Sequence, residues 1–187
     1  MRPTLRIAPD ASWDAGGPYR TGFPALPSSL ERELTTWLAR AKGERELDAL
    51  NAEGWRLACA LKDHVGTTYR VAHAALLSTG DYSADRDVPS EEELPGGWDL
   101  VARDNVTLVR ELGRELKPGH SLYDVGVIAV ARRYAQDDYL FALEHLAYPF
   151  AVVHLTWAGD RERPPWPGTT YLPDYDAFVR TFEDDDD

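Results

Sequence analysis

The sequence predicts an α+β fold in which helices pack on one face of a mainly antiparallel sheet, with two halves sharing a core. Three observations predict it. Two amphipathic helical stretches dominate the first half, at Leu30–Ala41 and Leu47–Val65. A run of short β-branched and aromatic segments dominates the second half, from Val125 onward. The two kinds of segment do not alternate as a parallel βαβ chain would, which leaves antiparallel pairing backed by helices.

Taken in order, Thr4-Leu5-Arg6-Ile7-Ala8 alternates and reads as an opening strand. Residues 9–27 combine Gly and Pro with Trp13, Tyr19 and Phe23, too aromatic for a linker, and read as an irregular segment packed on the fold. Ser28 with Glu31 fits a capping box, in which each side chain satisfies an orphan amide at a helix start. Leu30, Leu34, Trp37, Leu38 and Ala41 then share one face, and Gly43 reads as the stop. A second helix spans 45–65 on Leu47, Leu50, Leu57, Leu61 and Val65, closed by Gly66; Gly54 weakens its middle and invites a start near Asn51. Thr67–Leu77 reads as a strand and 78–97 as a loop rich in Gly, Pro and acid.

The second half opens with a predicted helix over 99–116, ended by Pro118-Gly119. Val125–Tyr134, Tyr139–Leu143 and Phe150–Trp157 read as strands, with a turn at Gln136-Asp137-Asp138. Pro164, Pro165 and Pro167 force an extended crossing, and Tyr175–Phe182 reads as a closing helix. The expected organisation is therefore an N-terminal half (1–80), an acidic connection (81–94) and a C-terminal half (95–187).

Composition excludes several functional classes. With 32 acidic against 20 basic residues the net charge is −12, which repels phosphate backbones and disfavours nucleic acid as a partner. Residues 1–94 carry 15 acids and 11 bases, and 95–187 carry 17 and 9, the Glu183–Asp187 tail alone contributing −5 to the second half. No stretch reaches the roughly 20 apolar residues that span a bilayer. The N-terminus has no signal-peptide character, and the single Cys59 forms no internal disulfide, so the expected compartment is the cytoplasm, with no membrane association.

Site chemistry is sparse. CxxC pairs and HExxH are absent, and Asp63, His64 and His73 would need a helix end and a strand to converge before holding a metal. Cys59 lies on an apolar helical face, and no GxSxG accompanies it. Gly16-Gly17 and Gly96-Gly97 do not follow strands as phosphate loops do. Asp137-Asp138 point to opposite faces if extended, so a turn explains them better than a carboxylate pair. His145 and His154, with nearby carboxylates, form the one candidate acid–base set; a satisfied, half-buried His154 is the simpler reading. The expectation is therefore no catalytic residue, no metal and no cofactor.

The acidic connection is the more informative feature. Asp81, Asp85, Asp87, Glu91, Glu92 and Glu93 place six acids in thirteen residues, opposed only by Arg86 and flanked by Tyr82 and Trp98. Such a segment steers a basic partner, and the aromatics supply the buried contacts.

Two passages resemble known proteins. Asn51-Ala-Glu-Gly-Trp-Arg-Leu-Ala58, followed by Leu61-Lys62 and Val65-Gly66-Thr-Thr-Tyr69-Arg-Val71, resembles the EG-x-x-LA … LG-x-x-Y-x-V passage of actinobacterial-type immunity proteins. Ala131-Arg132-Arg133, Asp137-Asp138, Val152-Val-His-Leu-Thr-Trp157 and Trp166-Pro167 are similar to a domain of unknown function with a VVHLTW-like strand. The resemblance implies a toxin- or effector-neutralising protein and supplies no catalytic residue. The alternative is a small hydrolase or transferase using His154, His145 and nearby carboxylates.

Overall fold

The computed structural model describes residues 4–8, 26–41, 46–102, 105–145, 147–163 and 166–183. The aromatic segment over 9–25, Gly43, Pro164-Pro165 and the acidic tail after Glu183 lie outside the described residues. The fold is α+β with a mainly antiparallel sheet, and the chain divides into two compact units, Met1–Glu92 and Glu93–Asp187. Among the described residues no helix is long and apolar enough to cross a membrane.

In the first unit, strand β1 (Thr4–Ile7) pairs in parallel with β2 (Arg70–His73), and β2 pairs antiparallel with the two-residue β3 (Arg86–Asp87). Helix α1 covers Ser28–Ala41 and helix α2 covers Leu47–Val65. The Glu31 N–H donates to Pro27 O, which puts Ser28 inside the first turn rather than at the cap. Helix α2 runs unbroken through Gly54 because its tertiary contacts outweigh the propensity cost. Trp37 of α1 donates its indole N–H to Leu50 O (2.9 Å), and Asn51 clamps Leu76 through both its amide atoms (3.0 Å each). Buried Lys62 is held through its Nζ on Tyr69 O (2.9 Å). The predicted strand over 67–77 contracts to β2, since residues 66–68 form a 3₁₀ turn.

The second unit is a five-stranded antiparallel meander in the order β4 (Trp98–Leu100), β5 (Val127–Arg133), β6 (Asp138–Leu143), β7 (Phe150–His154), β8 (Gly168–Leu172). The predicted helix over 99–116 gives way to β4 followed by α3 (Val106–Glu115). Asn105 sets that boundary by accepting the Thr107 and Leu108 amides on its side chain. Strand β8 was not foreseen, although Thr169-Thr170-Tyr171 carries the β-branched and aromatic residues that fit a sheet.

In this sheet the two helices of the second unit pack against residues of opposite parity. Ala151, Val153 and Leu155 join Leu108, Leu112 and Leu116 in a core on the α3 side. Phe150 has the opposite parity and meets Tyr175 of α4 (Tyr175–Glu183), ring centroids 5.9 Å apart. Trp98 extends the α4 layer, 4.9 Å from Phe178 and 5.1 Å from Phe182. Full burial of Phe178 contributes roughly 2–3 kcal/mol.

Candidate functional site

The acidic segment is built onto the first unit rather than strung between two halves. Asp87 and Arg86 pair with Ala72 and His73, and the flanking Val88 N–H donates to Val71 O (2.8 Å). Upstream, Ser83 ties its backbone to Ala75 O (2.9 Å) and accepts the Ala75 N–H on its hydroxyl (2.9 Å). Gly80, at φ +87°, closes the turn that places Thr79 Oγ1 on Asp81 (2.9 Å).

Within that framework the acids are treated differently. Asp87 forms a bidentate pair with Arg70 (2.6 and 3.3 Å), and Asp85 accepts from Arg6 Nε (2.7 Å). Arg6 also lies over Tyr82, 5.8 Å from its ring centre. Asp81, Glu91 and Glu92 are exposed, and the last two sit with Glu93 in a 3₁₀ turn. Glu93 and Trp98 belong to the second unit, where Glu93 O accepts from the Tyr175 hydroxyl (3.0 Å). Trp98 is only 5% exposed, so its ring is a packing residue beneath α4 and not the accessible anchor expected of it.

What secures the segment is a side chain that sequence reading passed over. Arg86, the lone base among the acids, is fully buried with its guanidinium 5.4 Å from the Trp55 ring. Its Nη2 donates to His73 Nδ1 (2.5 Å), and His73 is itself fully buried beside Trp37 and Trp55. Burial, then the Arg86 charge, then that of Arg6 hold the His73 pKa well below the ordinary histidine value. Because arginine only donates, the accepting nitrogen is Nδ1 and the neutral ring carries its proton on Nε2. A sequence signal existed: the one arginine among six acids alternates with Asp85 and Asp87, as one inward residue between two outward ones does in a strand.

The histidines of the second unit do not converge. His154 ends β7 and Asp138 begins β6; the two are register partners, with Nδ1 and Oδ1 2.8 Å apart. Arg133 lies 3.9 Å from the other Asp138 oxygen, and the Trp166 ring is 6.0 Å from the imidazole. His145 follows the far end of β6, where its Nδ1 accepts the Ala147 and Tyr148 amides. Seven residues at about 3.3 Å each place it roughly 20 Å from the Asp138 end. His154 is exposed rather than half-buried within an apolar strand.

Cross-strand polar pairs of this kind contribute roughly 0.2–1 kcal/mol. Asp138→Asn is expected to lower the unfolding free energy in urea by no more than about 1 kcal/mol.

Among the described residues no group of three or more His, Cys, Asp and Glu side chains is placed to hold a metal. Asp63 and His64 are exposed at the end of α2, whereas His73 is buried against Arg86. Cys59 is buried in α2. Comparison of the chain with protein families, with curated proteins and with solved structures finds no match.

Proposed function

We propose that this protein binds a basic protein partner through the segment 81–92 and neutralises it by occlusion, as an immunity protein does to a toxin or effector. One observation carries the reading. The segment's backbone is fixed by β3 and by buried Arg86 and Val88, while Asp81, Asp85, Glu91 and Glu92 remain at the surface. A pre-ordered acidic surface loses little entropy on docking, and its field accelerates encounter with a cationic partner. The passage that resembles immunity proteins folds as α2, its closing turn and β2, the platform on which the segment rests.

The test measures association with the protein that co-purifies with this chain. Asp81→Lys, Glu91→Lys and Glu92→Lys together spare the Arg6–Asp85 and Arg70–Asp87 pairs. The triple variant is expected to associate at least about tenfold more slowly at low salt, and to lose most of the salt dependence of its on-rate. Unchanged association kinetics would refute the surface.

A second reading rests on the His154–Asp138 pair. A carboxylate on Nδ1 fixes the ring with Nε2 as the proton acceptor, the arrangement a general base needs in a hydrolase or transferase. It requires that His154→Ala abolish a turnover that His145→Ala leaves intact.

A further inference from the structure

Arg86 has two roles: it fastens the acidic segment through β3, and its guanidinium donates into the imidazole of a buried histidine. Fastening therefore depends on the protonation state of that imidazole. With Nδ1 unprotonated, an N–H of Arg86 meets a lone pair at 2.5 Å. With Nδ1 protonated, two donors and two positive charges face each other in a site where neither side chain is exposed.

The groups packed around the ring do not relieve that conflict. Trp37 from α1 and Trp55 and Gly54 from α2 are uncharged, and Ile7 is its register partner on β1. The charges that act on it come from Arg86 on β3 and Arg6 on β1, and both are cations. Among the described residues no hydrogen-bond acceptor reaches His73 Nε2.

Two ways out exist: the whole unit unfolds, or the weaker attachment gives way. Strand β3 is two residues long at the sheet edge, whereas α2 is held by Leu50, Leu57 and Leu61, all fully buried. Local opening draws on the least buried elements first.

We propose that His73 is an acid-sensitive latch for the partner-binding segment: its protonation expels Arg86 and releases residues 81–92 from the sheet. The proposal deepens the partner-binding reading by assigning that surface a regulation, and it rests on that reading for its consequence. Docking would then be strong at neutral pH and lost in an acidified setting.

The experiment is hydrogen exchange on the free protein between pH 7.5 and pH 5, with intrinsic rates corrected for pH. The open state has an ordinary histidine and the closed state a depressed one, so opening takes up one proton. Protection at the Ser83 and Val88 amides is expected to fall about tenfold for each pH unit below about 6.5. Leu57 and Leu61 in α2 are expected to keep their protection. In His73→Asn, whose amide oxygen replaces the accepting nitrogen without titrating, the pH slope is expected to vanish.

Nitrogen chemical shifts of the His73 ring give a second readout that needs no variant, with the Nε2–H tautomer expected at pH 7.5. Constant protection at Ser83 and Val88, loss in parallel with α2, or an Nδ1–H tautomer would each overturn the latch. Because no partner is present, a normal latch beside a failed charge-reversal test would remove the docking reading alone.

Discussion

Gly54→Ala is expected to destabilise the first unit by about 2–3 kcal/mol, although the same change in an exposed helix interior stabilises by about 1 kcal/mol. The reversal comes from the space beside the backbone. A Cβ at residue 54 would lie 2.5 Å from Trp37 Cζ2 and 2.5 Å from His73 Nε2. Both rings are fully buried, and each is held elsewhere: Trp37 by its hydrogen bond to Leu50 O, His73 by Arg86. Neither can retreat without giving up that bond or moving a helix, so the added methyl acts as overpacking rather than as gap filling. Gly54→Val, with a branched side chain at the same point, is expected to cost more than Ala. Urea unfolding followed by helical circular dichroism measures both. A Gly54→Ala protein as stable as the parent would refute the close approach of α1, α2 and β2 at this point.

Glu115→Ala is expected to cost about 2–6 kcal/mol in the second unit, from two amides left without an acceptor at about 1–3 kcal/mol each. Glu115 is fully buried at the end of α3. Its carboxylate accepts the Thr156 N–H at 3.0 and 3.1 Å and the Trp157 N–H at 2.8 Å. Its backbone oxygen accepts the Glu162 N–H (2.9 Å), and Glu162 in turn accepts from the Thr156 hydroxyl (2.9 Å). One glutamate thus organises the whole turn after β7.

That turn needs organising, because Trp157 adopts φ +55°, a region unfavourable for a bulky side chain. Glu115→Gln keeps one accepting oxygen and is expected to lose less than Ala. The measurement is thermal unfolding together with the Trp157 indole proton shift, which reports the ring packed against Tyr139 at 6.2 Å. A Glu115→Ala protein with an unchanged midpoint and an unchanged Trp157 shift would show that the turn is held by other bonds.

Neither residue announced itself in the sequence, and the reason is the same for both. Gly54 reads as a weak point in a helix because periodicity reports which face is buried and not how closely a neighbour approaches. Glu115 stands next to Leu116 on the edge of an apolar stripe, where an acid normally extends into solvent. Only the arrival of the Thr156 and Trp157 amides, forty-odd residues later, turns it inward. The α3 boundary failed for a related reason. Asp99 to Leu108 has no breaker, yet Trp98–Leu100 gains a pairing partner in β5 that no local pattern encodes.

The acidic segment shows where the division lies. Its charge and its position before Trp98 were legible in the order of the residues, because net charge and turn-forming composition are local properties. So were the mainly antiparallel α+β character, the helical stripes of α1 and α2, and strands β5, β6 and β7, whose side chains repeat at the periods their own backbones impose. What only the tertiary structure decided was which acids remain at the surface, that Trp98 turns inward under α4, that the five-stranded sheet is covered on both faces, and that Arg86 is held by His73. Each of these depends on residues distant in sequence meeting in a low-dielectric interior, where an unshared proton or an extra methyl outweighs local preference.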